Sequence, residues 1–392
     1  MTTPENRTPT GASVDERDDA QKLQDELTLE QRETIGLSQG QIVRRRFFRH
    51  KGAMIALGVL ALILILIFSS VGTMIVIPTF TDGLRFTQIH IPGWWQWGWN
   101  HPSPIVNGGN PTFTSLFDWG PHPFGQDEVG NDIFARVMRG TQQSIMVMVL
   151  FGLLATVIGI TVGGIAGFYG GIVDNILMRI TDMFLVIPTL VFAAVLGQVA
   201  GSDPTLRAFG AAALGIMLGL VGWMGMARLV RGEFLTLRER EFVDAARVAG
   251  ASNRRIIFRH ILPNTLGVVI VSATLTMSVA IILEANLSFL GFGILPPDIS
   301  LGQIVQEYQG AFATRPWLFW FPAAFVVAIA LCINFIGDGL RDAFDPRQQA
   351  KPGGGMWKRL RNAWRRNPVI EESPDAPDMD AVKGPSTNEA KP

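Results

Sequence analysis

The residues of this 392-residue chain that could do covalent chemistry are few and scattered. Its five histidines fall in different loops, so no metal or triad cluster can be read from them. The one cysteine, Cys332, sits inside an apolar run, which excludes an internal disulfide and any Cys-x-x-Cys motif. The glycine cluster Ala166-Gly167-Phe168-Tyr169-Gly170-Gly171 invites a phosphate-loop reading, but no Gly-Lys-Ser or Gly-Lys-Thr follows it anywhere. What remains is noncovalent chemistry, concentrated in three places. One is the stretch 241–264, dense in charge between two apolar runs. Another is a polar run holding His122, Gly125, Asp127, Gly130, Asp132 and Arg136. The third is a set of polar groups inside apolar runs: Glu284, Asn286, Asn334 and Asp338. An ionisable group at such depth is costly, so it lines a pathway or pairs with a neighbour.

The stretch 241–264 reads as two short helices with a break, a connection on one side of a membrane. Glu241 and Asp244 stand in the first turn of the first helix, where carboxylates suit the positive end of the dipole. Ala245, Ala246 and Ala249 are strong helix formers that leave a smooth face. Gly250 falls where a helix stops in a left-handed residue. Ser252 then caps a second helix carrying Arg254, Arg255 and Arg259. Leu262 and Pro263 close the stretch, and Pro263 is expected to break the helix just before the next apolar run.

The elements that position these residues follow from the distribution of apolar side chains. The hydrophobic fraction is 48% and the mean hydropathy +0.28, gathered into blocks long enough to cross a bilayer, about 20 residues each. Six spans are expected, at 53–78, 144–169, 184–200, 208–230, 265–289 and 318–338. The first is read as an uncleaved helix, because it starts far from the N-terminus and shows no small-residue cleavage site. Of 33 Lys and Arg residues, all but Arg85, Arg136, Arg139, Arg207 and Arg315 fall on one side of that arrangement. This places both termini and the 241–264 loop in the cytosol. The zero net charge argues against a nucleic-acid partner.

The expected organisation is a disordered tail at 1–38, a basic interfacial helix at 39–52, the first span at 53–78 and an extracytoplasmic segment at 79–143. A five-helix core follows at 144–346 with the loop 241–264 inside it, and then a tail at 347–392. Phe47 and Phe48 among Arg44, Arg45, Arg46 and Arg49, and Trp357, Leu360 and Trp364 in a helix at 356–366, suit contact with membrane lipids. An insert at 82–120 carries Trp94, Trp95, Trp97, Trp99 and Trp119. Two readings of it are open: anchoring in the outer interface, or docking of an extracellular protein.

The loop resembles the signature of ABC importer permeases: Glu-Ala-Ala, three residues, Gly, nine residues, then Ile-x-Leu-Pro. Here it reads Asp244-Ala245-Ala246, Gly250 and His260-Ile261-Leu262-Pro263, with Asp for Glu and His for the first Ile. Further segments are similar to the dipeptide, oligopeptide and nickel branch, and to the second permease of its pair. His122-Pro123-Phe124-Gly125-Gln126-Asp127, Gly130-Asn131-Asp132 and Arg136 match an external motif, with Gln126 for Thr, Asn131 for Arg and Ala135 for Ser. In Gly140-Thr141-Gln142-Gln143-Ser144-Ile145 an expected arginine is missing. Ala166–Gly171 with Asp174, Met178-Arg179, Asp182 and Pro188, the run 227–232, Leu283–Gly291, Ser300-Leu301-Gly302, Gly337–Asp342 and Asp345-Pro346-Arg347 complete the likeness.

The resemblance implies an all-α membrane protein with the type I importer permease fold. It also implies a bacterial or archaeal multi-pass protein of the cell membrane. Such a permease carries no cofactor and has no enzyme activity; ATP and Mg act on partner ATPase subunits. Implied partners are a homologous permease, two ATP-binding subunits or domains, and an extracellular or periplasmic substrate-binding protein. The cargo is implied to be di- or oligopeptides, with nickel or glutathione-like ligands as the alternative. An ion-driven secondary transporter would explain the spans but not the loop.

Overall fold

The computed structural model describes residues 39–79, 85–113, 118–296 and 298–344. The expectations for 1–38 and 347–392, the 356–366 helix and Asp345-Pro346-Arg347 lie outside the described residues. Helix α1 (Gln39–Arg49) leads through His50 into α2 (Lys51–Ser70); His50 Nδ1 accepts from Ala53 N at 3.0 Å. The first span therefore ends at Ser70 and not at 78. The β-branched run Thr73–Thr79 forms strand β1, which pairs antiparallel with β2 (Arg85–Ile91), Thr73 opposite Ile91. A Cβ at Gly72 would lie 2.0 Å from Ile91 O, so only glycine fits where helix gives way to hairpin. Among the described residues the regular structure is otherwise helical, apart from an isolated bridge between Gln126 and Asp132.

Helix α3 (Ile133–Tyr169) starts eleven residues before the expected second span at 144. Its first three turns are buried and mix apolar Ile133, Phe134, Val137 and Met138 with polar Arg136, Arg139, Gln142 and Gln143, and Asp132 caps them: Oδ2 accepts from Ala135 N at 2.9 Å. The expected span 184–200 is broken. Helix α4 (Gly171–Val186) meets α5 (Thr189–Ser202) at 86°. Pro188 has no N–H to donate, and it holds Ile187 in extended backbone at φ −76°, ψ 125°. After the short α6 (Pro204–Ala208), α7 (Ala211–Gly219) and α8 (Met224–Leu237) form a second bent pair, at 42°. Then come α9 (Glu241–Val248), α10 (Asn253–Phe289), α11 (Leu301–Glu307) and α12 (Pro316–Phe344). Helices α2, α3, α10 and α12 are each long and apolar enough to cross a membrane, and the count reaches six if each bent pair is one span.

Helix α3 is the spine, packed along α8, α7 and α10, while α10 packs on α12 and α12 on α2. The stripe Gly159, Gly163 and Gly167 faces α8, as a four-residue repeat of glycine allows. Cβ atoms there would lie 2.5 Å from Met226 Cβ, 2.2 Å from Ala227 O and 2.6 Å from Phe234 Cβ. Two apolar clusters sit at opposite ends of this spine. One surrounds Phe134, Met138 and Leu301; the other surrounds Phe168, Phe234 and Val243.

Candidate functional site

The loop of expected interest sits on the second cluster. Val243, fully buried, plugs α9 into it beside Ile256 and Ile261, and Ala246 lies against the same cluster. Gly250 stands at φ +77°, where Gly250 N donates to Arg247 O at 2.9 Å and Ala251 N donates to Ala246 O at 3.0 Å. These two bonds are the six-to-one and five-to-two pair that stops a helix at a left-handed glycine. Ser252 Oγ accepts from Arg255 N at 3.4 Å and starts the next helix, as expected. Pro263 does not break it. The chain takes one π-helical turn at Ile256–Ile261 and runs on through Leu262 and Pro263 to Phe289. The wider turn, together with the place of Pro263 in the first turn of the α-helix that follows, accommodates the missing proline N–H.

The face of α9 turned away from the cluster is exposed. It presents Phe242 at 40%, Val248 at 90%, Ala245 and Ala249, with Glu241, Asp244, Arg254 and Arg255 also exposed. Asp244 pairs with Arg247 at 3.1 Å. Sequence reasoning named the alanines but passed over Phe242 and Val248, and it passed over the anchors Val243 and Ile256. The signal available was Val243 followed by Ala246, the three-residue spacing of one helix face.

At the far end of α3 the second group of residues forms a single network. Asp127 Oδ1 accepts from the backbone N–H of Val129 and Asn131, at 3.0 and 2.8 Å. Its Oδ2 accepts from Asn131 Nδ2 at 2.7 Å, Tyr308 Oη at 2.8 Å and Arg136 Nη1 at 3.3 Å. Burial pushes the Asp127 carboxyl up, but Asn131, Tyr308 and the Arg136 charge outweigh it and hold the group below the usual carboxylate range. Burial, chiefly, drives Tyr308 upward. Arg136 also grips Glu307, with Nη2 2.5 Å from Oε2. Three residues on, Arg139 pairs with Asp298 at 2.5 Å. His122 Nδ1 lies 2.9 Å from Asp132 Oδ1. Gly125 and Gly130 turn the backbone at positive φ, and a Cβ at Gly130 would lie 2.2 Å from Ser103 O. The six expected residues are therefore brought together, and Glu307, Tyr308 and Asp298 join them from 159 to 181 positions away.

Two of the positions that depart from the motifs, Gln126 and Gln142, have visible work. Gln126 Oε1 accepts from Val106 N at 2.8 Å, and Nε2 donates to Ser103 Oγ at 2.9 Å and Pro104 O at 3.1 Å, clamping the insert. Gln142 Nε2 donates to Ile67 O at 2.6 Å and Gly72 O at 2.7 Å, serving the free carbonyls at the end of α2. Four of the insert's five tryptophans are half-buried against the head of α3 or the residues that lead into it. Trp95 donates to Asp132 Oδ2 at 2.7 Å and packs 4.6 Å from the Phe134 ring. Trp119 also packs on Phe134, Trp97 covers His122, and Trp99 lies under Arg139. Trp95 thus finds a partner at the head of α3 for both ring and N–H, whereas Trp97 Nε1 is buried with no hydrogen-bond partner among the described residues. Trp94 alone of the five is exposed.

Of the polar residues inside spans, Glu284 is fully buried and accepts from Ser144 Oγ at 2.6 Å and Ser288 Oγ at 2.7 Å. Within this chain its carboxylate is paired with neighbouring hydroxyls. Asn286 is exposed and Asn334 half-buried. Asp338, expected to brace helix packing, is exposed and makes no hydrogen bond or ion pair among the described residues; it is Asp342, one turn on, that lies 3.5 Å from His50. Among the described residues no three His, Cys, Asp or Glu side chains are grouped to hold a metal ion.

Two family models match the chain. Residues 159–350 fit the binding-protein-dependent transport system inner membrane component, and residues 38–82 fit the N-terminal transmembrane domain of oligopeptide transport permease C. The chain is 36% identical to the oligopeptide transport system permease protein OppC of Mycobacterium bovis over 314 residues, 80% of this chain and 96% of that one. The OppC protein of Mycobacterium tuberculosis gives the same figures. Against OppC of Haemophilus influenzae the identity is 36% over 321 residues, 82% of this chain and 93% of the relative.

Proposed function

This chain belongs to the binding-protein-dependent transport system inner membrane components, as a permease of the oligopeptide permease C type, and from that premise we propose that it passes di- or oligopeptides across the bacterial inner membrane while α9 docks on an ATP-binding subunit. As a non-catalytic, multi-pass member of a binding-protein-dependent ABC transporter, it depends on an ATPase and a binding protein outside its own sequence. The peptide cargo follows the named relatives. In this reading a homologous permease completes the pathway, two ATPase subunits bind ATP and Mg, and both ends of the chain and α9 lie in the cytosol. The uneven Lys and Arg count supports that orientation. Family membership removes the ion-driven secondary transporter as a rival.

One observation carries the docking role. Helix α9 is fixed from beneath by the buried Val243 yet offers Phe242, Val248 and two alanines outward. A helix that exposes its apolar face while its inner face is anchored fits a groove on a partner. Burying one such aliphatic side chain is worth about 1.5–3 kcal/mol. Val248→Asp should therefore insert normally and lose ATPase co-purification. A variant at normal membrane level that still binds the ATPase would overturn the reading.

A further inference from the structure

Helix α4 is attached to the rest of the chain almost without apolar burial. Only Asp174 and Thr181 are buried in it, while Ile172, Met183 and Val186 are 78%, 72% and 82% exposed. Its attachment is ionic. Asp174 takes Arg231 in a two-pronged grip, Nε to Oδ1 at 2.5 Å and Nη2 to Oδ2 at 2.6 Å, and Asp182 pairs with Arg228 two turns further along. Both arginines lie on α8. That helix has little freedom against α3, because the glycine stripe brings the two backbones into contact. Arg238, just past the end of α8, also donates to Gly167 O and Phe168 O, holding the corner from which α4 departs. Beyond Arg238, α8 passes through Glu239 and Arg240 directly into α9.

We infer that the Asp174–Arg231 pair is a positioning strut that makes α4, and the α5 helix bent away from it at Pro188, follow the motion of α8 and α9. An apolar contact lets one helix slide along another at little cost. A bidentate guanidinium–carboxylate pair fixes direction as well as distance. The Asp174 carboxylate is buried and gripped through both oxygens, so the link persists while the helices move. The second pair, Arg228 with Asp182, resists rotation of α4 about the first. The inference rests on the docking reading of α9, since it concerns where the push received there goes next.

The test uses the assembled transporter in lipid nanodiscs, in a Cys332→Ser background. Spin labels go on exposed positions: Leu62→Cys on α2 as reference, paired with Thr236→Cys at the end of α8 or with Ile180→Cys on α4. Distances are read before and after trapping with ATP and vanadate. In the parent both distances should shift. With Asp174→Asn the Thr236 shift should remain and the Ile180 shift should be lost, and Asp174→Arg combined with Arg231→Asp should restore it. An Ile180 shift that survives Asp174→Asn overturns the strut. No Thr236 shift in the parent would instead remove the docking reading, and the strut with it. Should Asp174→Asn fail to assemble, Arg231→Lys keeps the charge, loses the two-pronged grip and carries the same expectation.

Discussion

Replacing Gly250 by valine perturbs the loop in a way that separates backbone strain from steric clash. Gly250 stands at φ +77°, and a Cβ built there would meet nothing within 4 Å. The cost is therefore conformational: an L-residue in the left-handed region loses about 1–2 kcal/mol. If the chain escapes by leaving that region, the Gly250–Arg247 and Ala251–Ala246 bonds break instead and α9 loses its stop. Either way the presented helix is less favourable by that amount, which weakens a docked complex about 5- to 30-fold. The loop is anchored by Val243, Ile256 and Ile261, none of which the substitution touches, so the spans should insert normally. The assay is membrane level by immunoblot, followed by titration of the solubilised permease with its ATPase subunit. Gly232→Ala is the control, an open helical position where a Cβ also meets nothing. An unchanged affinity for Gly250→Val would refute the link between the left-handed stop and docking.

Other outcomes follow from the same geometry. Gly163→Ala places Cβ 2.2 Å from Ala227 O, a backbone atom that cannot swing away, and should lower the unfolding midpoint in detergent. Overpacking of this kind costs about 1–3 kcal/mol; a midpoint equal to that of Gly232→Ala would contradict it. Because Asp127 is held below the ordinary carboxylate range, its charge stabilises the network around it above the unfolded Asp value of about 3.9. That contribution is lost as pH falls through the lower folded value. Asp127→Asn should therefore flatten the acid limb of a stability–pH curve, and an identical limb would count against the network. Single cysteines in a Cys332→Ser background should be labelled from outside at Trp94 and only from inside at Ser252; external labelling at Ser252 would reverse the proposed orientation.

The loop was legible because its signals are local. Gly250 and Ser252 each act within a few residues of their own position, and the structure places both as read. The spans were legible as apolar runs, but their ends were not. The apolar count cannot distinguish Ile63 in a helix from Ile75 in a strand, since both are β-branched and apolar, and the boundary lies in the positive φ of Gly72. Helix α4 was missed because its charged residues looked like a loop. Their partners are 46 and 57 positions away, and composition gives an inventory of charges without their pairing. The packing of the insert's tryptophans was not legible for a related reason. An indole suits a lipid interface and a packed aromatic cluster equally, and only the nearness of Phe134 decides.

The network around Asp127 and Arg136 also sets an order of assembly. Arg136, Arg139 and Ser144 head α3, but Asp298, Glu307, Tyr308 and Glu284 are made 140 to 172 residues later. At a synthesis rate of roughly 5–20 residues per second the wait is about ten to thirty seconds. During that interval Arg139 stands without its carboxylate, and Arg136 has Asp127 but neither Glu307 nor Tyr308. A chain halted before Asp298 would keep them waiting indefinitely. Such a product should be cleared by membrane proteases faster than one halted after α11, as pulse-chase labelling would reveal, and equal lifetimes would count against this sequence of events. On this view the last third of the chain acts as a completion signal for the first.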